Sequence, residues 1–498
     1  MKKTLIALAS VAALGAAHAD VTLYGVIDAA ATTVSAGGST DANNPSNINF
    51  LNSYAANGAG GAPGATNGRV TGLGNGLLQA SRWGIKGMEN LGGGLKANFV
   101  LESGLNIAGG NNPNDHIMLA STGATGGPTG AGDSSLNGQM FDRQASVGLS
   151  GDFGSIDAGF QLNLNGELNG ANDPFSGGYI SPLGTYGGLT GMGSSYTGRA
   201  SNSFKYAYSM GDTTLKAFYA MGGVSGNAGA GSQTGIAAFI KATPSLDINI
   251  GASRMNDNVS YSASAQNSLT CGATTPAQTT NAQTAVAQCP TAGNSISALN
   301  ASSLIATSPA LAGTFYNATE TILGVNYKVS PTLLVKVGYL TVTQSNPSNG
   351  TADAAILQNN GIMLNPNATN TAPYPGNYSR NITWIGGTYN LSATDKVILG
   401  YYSMTLGAYT KNVNGALTST PVTQLYSSNT QQTFSAVYDH DLSKQTDVYV
   451  AGSYATWNSP GIATATTAYN TSGTTAMNQT TSAGQSQSMF ALGLRMKF

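Results

Sequence analysis

The end of the chain carries the pattern that most restricts its fold. Every even position from Phe490 to Phe498 is apolar, whereas Gly493, Arg495 and Lys497 stand between them. Helical packing would need apolar residues three and four apart, so this period of two predicts a strand with one apolar and one polar face. A tilted strand of about 9–11 residues crosses a bilayer. We therefore expect a transmembrane strand here, which closes a β-barrel by pairing with the first strand of the mature chain.

The composition of the whole chain agrees with a membrane-spanning sheet. Only 8% of its 498 residues are charged, against about 25% in soluble domains. Long apolar runs do not make up this deficit, because the mean hydropathy is -0.06, which disfavours a helical membrane protein. The 66 glycines and 23 tyrosines fit a sheet that faces water on one side and lipid on the other.

The first 19 residues have the three parts of a secretory signal peptide. Lys2 and Lys3 form a basic start, Leu5–Leu14 is an apolar core, and Ala17–Ala19 is a small-x-small cleavage site. We therefore expect the mature chain, and the barrel domain, to cover 20–498. Removing two of the 20 basic residues leaves 18 against 21 acidic ones, a balance that disfavours nucleic acid as a partner.

The alternation of apolar and polar residues recurs along the mature chain in about sixteen segments. About seven short turns and about eight longer connections follow one another in alternation. The short turns are predicted at 89–94, 150–154, 210–212, 243–245, 329–331, 391–394 and 441–444. The fold class is therefore all-β: a transmembrane antiparallel 16-stranded β-barrel with short periplasmic turns and long extracellular loops. A soluble secreted adhesin would explain the glycine and asparagine content, but not strands with one apolar face.

The two cysteines, Cys271 and Cys289, fall in the longest predicted outer loop, about 257–315. No histidine is near them, and a metal site would need more ligands, so the sequence predicts neither a metal nor another cofactor. In an exported protein, two loop cysteines predict a disulfide.

Several stretches together resemble one known family. They are Val21–Asp28, Ser81–Lys96, Phe141–Leu149 with Phe153–Gln161, and the terminal Phe498. Together they resemble the Gram-negative general porins of the β-proteobacterial type, over the whole chain. The resemblance implies a homotrimeric barrel in the outer membrane, surrounded by lipid and lipopolysaccharide, that passes small hydrophilic solutes and ions. It also implies that the third outer loop folds into the lumen and narrows it.

The resemblance and the alternation together suggest the charges of the narrow part of the channel. We expect the inward loop to be about 164–199, with Glu167 and Asp173 as its only acidic residues. The resemblance implies an arginine cluster on the facing wall, and the chain departs from the family at Phe160, where relatives often have arginine. The candidates for the basic wall are Arg82, Arg143, Arg199, Lys86 and Lys205. Simple alternation gives the side chain of Arg143 the same direction as lipid-facing residues, so a bulge or a position above the hydrocarbon would be needed.

Other functions are less consistent with the sequence. After cleavage of the signal peptide the only histidines are His116, in a loop, and His440, near a turn at the opposite end of a strand. A nucleophile activated by a nearby base is therefore not expected, and the protein is predicted not to be an enzyme. A substrate-specific channel is the closest alternative to a general pore. A further role of the long loops as an adhesin or receptor stays open.

Overall fold

The computed structural model describes the following residues: 20–35, 69–105, 107, 140–178, 180–183, 198–222, 229, 231–263, 269–270, 295–296, 311–345, 378–407, 409–413, 422–426, 429–458, 462–465 and 485–498. The predicted signal segment 1–19 lies outside the described residues. So do His116, Cys271 and Cys289, and the predicted disulfide stays a prediction.

The described residues form strands and a single helix. In the first half of the chain these are β1 (Asp20–Ser35), β2 (Arg69–Asn75), β3 (Arg82–Gly92), β4 (Leu95–Gly104), β5 (Gln144–Gly151), β6 (Gly154–Leu162), α1 (Leu164–Asn172), β7 (Arg199–Met210), β8 (Thr213–Ala220), β9 (Gln233–Thr243) and β10 (Leu246–Ala263). In the second half they are β11 (Leu269–Thr270), β12 (Ser295–Ile296), β13 (Leu311–Lys328), β14 (Leu333–Ser345), β15 (Tyr378–Asn390), β16 (Asp395–Leu406), β17 (Tyr409–Val413), β18 (Val422–Tyr426), β19 (Asn429–Asp441), β20 (Thr446–Asn458), β21 (Ile462–Ala465) and β22 (Gln485–Lys497).

The main sheet closes on itself through its first and last strands. β1 pairs antiparallel with β22, from Val26 opposite Lys497 to Val34 opposite Met489. On its other edge β1 pairs with both β2 and β3, which therefore share one position in the barrel. The result is a closed antiparallel barrel of 16 strands, as predicted. Closure matters because an open edge in lipid would leave unpaired backbone groups, each costing several kcal/mol.

The two faces of the terminal strand confirm the alternation from which the fold was predicted. Phe490, Leu492 and Leu494 are about half exposed, whereas Met489 and Ala491 are buried. Exposed large apolar side chains occur in the same way on the outer face of many other strands, for example at Val147, Ile156, Phe204, Ile236, Ile250, Leu323, Ile385, Leu399 and Phe434. An outward apolar face is what a strand in contact with lipid requires.

Two connections differ from the sequence prediction. The segment after β1, predicted as an irregular loop up to about Gly76, contains β2, which pairs with the second half of β1. The connection predicted at about 257–315 is shorter, because β10 continues to Ala263 and β13 begins at Leu311. The small hairpin β11–β12 lies within this connection, and β17, β18 and β21 form a separate three-stranded sheet.

The inward loop predicted at about 164–199 begins with a helix rather than with irregular chain. Asn163 caps α1, since its side-chain oxygen accepts the Gly166 N–H at 2.9 Å. Glu167 lies in the first turn, where a negative charge favours a helix. Leu164 and Leu168, one turn apart, are buried. No helix among the described residues is both long and apolar enough to cross a membrane.

A glycine in β15 sets how closely two strands of the barrel approach, which gives a first prediction. A Cβ at Gly387 would lie 2.0 Å from the backbone oxygen of Leu334, so Gly387→Ala must separate β14 and β15. We expect this variant to lower the midpoint of thermal unfolding by several degrees, measured from the gel mobility of unheated and heated samples. Gly452→Ala is the control, because its nearest atom, the Met489 backbone oxygen, is 3.7 Å away. An equal midpoint for Gly387→Ala and Gly452→Ala would contradict the prediction.

Candidate functional site

The segment after β6 packs along the inner face of the barrel wall. We call the described residues 163–178 and 180–183 the inner segment. Its helix contacts β10 twice: Ser253 Oγ donates to Asn165 Oδ1 at 2.6 Å, and Asn249 Nδ2 donates to Asn172 Oδ1 at 2.8 Å. The Asn326 amide of β13 then donates to the Ala171 carbonyl at 3.2 Å. Side-chain amides of the wall therefore satisfy polar groups of the helix, which fixes its height and orientation.

The middle of the inner segment continues around the wall. The Lys336 ammonium of β14 donates to the carbonyls of Ala171 and Asp173, both at 2.9 Å. The Trp384 indole of β15 donates to the Asn172 carbonyl at 3.0 Å. The inner segment thus follows the wall from β10 to β15 without a gap between its contacts.

Asp173 serves as an anchor of the inner segment. Its side chain has no exposed surface. It accepts hydrogen bonds from the Tyr402 hydroxyl at 2.5 Å, the Ser181 hydroxyl at 2.9 Å and the Gly177 N–H at 2.8 Å. Burial raises the pKa of the Asp173 carboxyl, although these hydrogen bonds act in the opposite direction. The expected role of Asp173 as a charge facing the channel does not fit this burial and is replaced by an anchoring one.

Glu167 attaches the start of the inner segment to the neighbouring strands. Its two carboxylate oxygens lie 2.5 Å from the Lys205 Nζ of β7 and 2.6 Å from the Lys216 Nζ of β8. Burial opposes ionisation of Glu167, but the two ammonium groups and their hydrogen bonds outweigh it and hold its pKa below the usual value. Glu167 therefore pairs with the basic wall directly instead of facing it across the channel.

Three of the predicted basic residues gather around one carboxylate. Glu102, on β4, lies 3.4 Å from the Arg82 Nε and 2.8 Å from the Arg143 Nε. The Tyr24 hydroxyl donates to Glu102 at 3.0 Å. Arg199 is near enough for its charge to act on both Arg82 and Glu102. We call Arg82, Arg143, Arg199 and Glu102 the arginine cluster; its three positive charges exceed its one negative charge.

The position of Arg143 resolves the conflict in the sequence pattern. Arg143 lies just before β5 begins at Gln144, so the alternation of that strand does not determine its direction. Its backbone N–H donates to the Glu102 carbonyl at 3.1 Å, and its side chain turns to the same residue. The fifth predicted basic residue, Lys86, is exposed and lies 5.3 Å above the ring of Tyr24.

Sequence reasoning missed two charged residues of the site, Glu102 and Lys216. Both read as ordinary polar positions of alternating strands. Their roles depend on the pairing of neighbouring strands, which puts Gly84 of β3 opposite Glu102 and puts β8 beside β7. The signal that would have found Glu102 is its charge on the same face of the sheet as Arg82 of the adjacent strand β3.

A group of three carboxylates elsewhere, Asp439, Asp441 and Asp447, is close enough together to hold a metal ion. Protein cations already occupy it, however. The Lys396 Nζ lies 3.1 Å from Asp439 and 3.2 Å from Asp441, and Arg495 lies 3.1 Å from both Asp439 and Asp447. This cluster is therefore a network of ion pairs at the turn end of the barrel.

These contacts define where the lumen stays open. The inner segment contacts the wall from β7 and β8, where Lys205 and Lys216 pair with Glu167, round to β16, where Tyr402 binds Asp173. The arginine cluster lies on the arc of the wall from β3 to the start of β7. A closed barrel with a lipid-facing exterior and an internal segment packed against its inner wall defines the class of outer-membrane channel barrels.

Within this class, the chain belongs to the Gram-negative porin family, whose family model matches residues 4–460. The protein is thus an integral barrel of the outer membrane. It is 33% identical over 183 residues to an outer membrane porin of Bordetella pertussis, covering 36% of this chain and 38% of the relative. It is 32% identical over 210 residues to outer membrane porin protein 32 of Delftia acidovorans, covering 41% and 45%. The alignments therefore span less than half of these relatives.

A solved structure shares the fold over nearly the whole chain. It is described as an anion-selective porin from Comamonas acidovorans, with a TM-score of 0.54 and 17% identity, covering 97% of this chain and 100% of that one. The family and its members indicate a channel rather than an enzyme. His440, whose Nδ1 lies 2.7 Å from Asp395, belongs to a pair beside a short turn.

Proposed function

We propose that the protein forms a water-filled channel for the passive diffusion of small hydrophilic solutes and ions, and that this channel prefers small anions. The observation that carries the proposal is the charge of two groups on the inner wall between β3 and β8. Arg82, Arg143 and Arg199 lie around Glu102. Two lysines of β7 and β8 pair with Glu167 of the inner segment. Positive charges therefore exceed negative ones in both groups, while Asp173 is withdrawn by burial.

The excess of positive charge acts on passing ions because it lies beside the narrow part of the lumen. Walls of low dielectric strengthen the field of fixed charges inside a pore, so ions of opposite sign accumulate there. The same wall carries the hydroxyl of Tyr24, which is already bound to Glu102. The sign of the proposed preference agrees with the description of the Comamonas structure, which otherwise supports only the fold.

We also propose that three copies assemble and that lipid and lipopolysaccharide surround the assembly. Membership of the porin family supports the trimer. The exposed apolar side chains on the outer face support contact with lipid, since they would be unfavourable in water.

A planar bilayer with a potassium chloride gradient tests the proposed function. We expect ohmic current steps in groups of three, and a reversal potential whose sign shows that chloride passes more readily than potassium. The measurement belongs at low salt, because the Debye length is about 10 Å at 0.1 M and shorter at higher salt. Failure to conduct would refute the channel, whereas conductance with a cation-selective reversal potential would refute only the anion preference.

A further inference from the structure

We propose that Asp28 is a positioning residue for the narrow part of the channel: it holds a bulge of the barrel wall against which the far end of the inner segment is seated. Asp28 touches no solute in this proposal, which rests on the proposed channel function.

The wall is interrupted between β2 and β3. The register of β1 passes from Ala29 opposite Asn75 to Val26 opposite Arg82. Residues 76–81, which we call the bulge segment, therefore stand opposite only Ile27 and Asp28 and leave the sheet. Gly76, with a φ of 74°, makes the departure in a conformation that favours glycine.

One residue, Asp28, binds the bulge segment at both ends and in the middle. Its backbone carbonyl accepts the Gly76 N–H at 2.8 Å, and its backbone N–H donates to Ser81 Oγ at 2.9 Å. Its carboxylate Oδ2 accepts the N–H groups of Leu78 at 2.9 Å and Gln79 at 2.8 Å. An unpaired backbone N–H in a buried site costs about 1–3 kcal/mol, so the bulge segment depends on this carboxylate.

A residue of β20, beyond the junction of β1 and β22 at which the barrel closes, also fixes the carboxylate of Asp28. The Tyr449 hydroxyl of β20 donates to Asp28 Oδ1 at 2.6 Å. Both side chains are fully buried, Asp28 at 0% and Tyr449 at 1% exposure. The charge of Asp28 is thus not presented to the lumen, and its role is to hold structure.

The bulge segment is the seat for the end of the inner segment. The Ile180 N–H donates to the Leu77 carbonyl at 3.3 Å. The side chains of Leu77, Leu78 and Ile180 are buried in one apolar cluster. Gly178 packs so closely that a Cβ there would lie 2.5 Å from the Leu78 backbone oxygen. The Ser435 hydroxyl of β19 adds a hydrogen bond to the Ile180 carbonyl at 2.8 Å.

Besides the hydrogen bonds from β10, β13, β14 and β15, three contacts hold the inner segment: Glu167 near its start, Asp173 in its middle, and the bulge segment near its end. Only the third hold depends on a bulge of the barrel wall. Without the hydrogen bonds of Asp28, the bulge segment would no longer hold one conformation. The end of the inner segment would then lose the surface against which it packs, while the barrel stays closed. The width of the channel then changes without any change in the arginine cluster.

The exclusion limit for neutral polyethylene glycols, read from single-channel conductance, tests this inference because it reports width and not charge. Gly178→Ala should move the limit to smaller glycols, since the added methyl pushes the inner segment from the wall toward the lumen. Gly170→Ala on the same segment is its control: the nearest atom to its Cβ, the Ser176 carbonyl oxygen, is 3.9 Å away, and the limit should not change.

Asp28→Ala should at least double the spread of single-channel conductance, because the seat no longer has one position. Asp157→Ala is the matched control, because it also removes a carboxylate that accepts a side-chain hydrogen bond. That bond comes from Asn98 at 2.9 Å and lies on the wall at β6, not at the bulge segment. If Asp28→Ala fails to give folded barrel, Ser435→Ala removes the second contact of Ile180 and should widen the spread in the same way.

The outcomes separate the two proposals. Suppose that the wild-type channel conducts, that Gly178→Ala keeps the wild-type exclusion limit, and that Asp28→Ala or Ser435→Ala keeps the wild-type spread of conductance. This result would overturn the role of Asp28 and leave the proposed function intact. A wild-type protein that never conducts would overturn both.

Discussion

Replacing Arg82, Arg143 and Arg199 together with glutamine is expected to turn the proposed anion preference of the channel into a cation preference. These three side chains lie around a single carboxylate, Glu102. Their loss leaves Glu102 as the uncompensated charge of the cluster, so the local field changes sign. Glutamine, rather than alanine, retains an N–H donor for Glu102 and limits the cost of leaving a carboxylate unpaired.

The expected size of the change in ion selectivity follows from the interaction energy between charges in a narrow polar pore. At an effective dielectric near 20, two unit charges 4 Å apart interact by about 4 kcal/mol. Water in the lumen reduces this energy, and about 1.4 kcal/mol already changes an equilibrium ratio tenfold. We therefore expect the ratio of chloride to potassium permeability, measured from the reversal potential at low salt, to fall by about tenfold and below one.

A control with the same change in total charge separates the arginine cluster from the average charge of the protein. Lys96, Lys241 and Lys328 are exposed, and they lie beside short turns rather than on the narrow part of the lumen. Replacing these three lysines with glutamine should leave the permeability ratio close to that of the wild type. Equal shifts for the two triple variants would show that the arginine cluster does not determine selectivity.

The parts of this architecture that sequence reasoning predicted are those in which neighbouring residues in the chain settle the outcome. The apolar and polar sides of β22 follow from its own alternation, and the closure with β1 follows because a strand in lipid cannot leave an edge open. The turns between strands are similarly local. The count of sixteen strands needed no knowledge of which side chains meet.

The helix α1 could not be predicted in this way. Its sequence, Leu164–Asn172, contains two glycines and three asparagines, residues with low helix propensity, and a helix this short is marginal by itself. Its stability comes from the buried Leu164 and Leu168 and from wall side chains such as Asn249 that are distant in the chain. Propensity is here overridden by packing.

The roles of the charged residues were also beyond local reasoning. Asp173 reads as an exposed loop acid until Tyr402, more than 200 residues later, covers it with a hydrogen bond. Asp28 reads as a residue on the wet face of β1, and its binding to Leu78 N–H and Tyr449 depends on the closure of the barrel. The alternation predicts which face a side chain occupies, whereas its partner depends on strand register.

A second large effect is expected for Glu167→Gln, which releases two lysines at once. In the wild type, the carboxylate of Glu167 neutralises part of the positive charge of Lys205 and Lys216. With glutamine in its place, the narrow part of the lumen gains one net positive charge. We expect the ratio of chloride to potassium permeability to rise by about threefold at neutral pH, with noisier open-channel current because the start of the inner segment is held less firmly.

The control for this substitution is Glu89→Gln, which removes the same charge from β3 near a short turn. The permeability ratio of this variant should stay close to the wild-type value. A rise for Glu89→Gln as large as that for Glu167→Gln would contradict a local effect of the two lysines.

The pH dependence of the ion pairs between Glu167 and its two lysines provides an independent test. Its sign follows from the lowered pKa of Glu167. A carboxyl whose pKa is lower in the folded protein than the ordinary value of about 4.3 stabilises the fold above that value. This contribution is lost as the pH falls through the lowered pKa, because the protonated side chain no longer pairs with Lys205 and Lys216. Acidification below the ordinary range should therefore move the wild type toward the selectivity and noise of Glu167→Gln. Other carboxyls titrate in both proteins, so the test is the difference between them, which should shrink as Glu167 becomes protonated and neutral like glutamine. A wild type that departs further from Glu167→Gln as the pH falls would contradict this assignment.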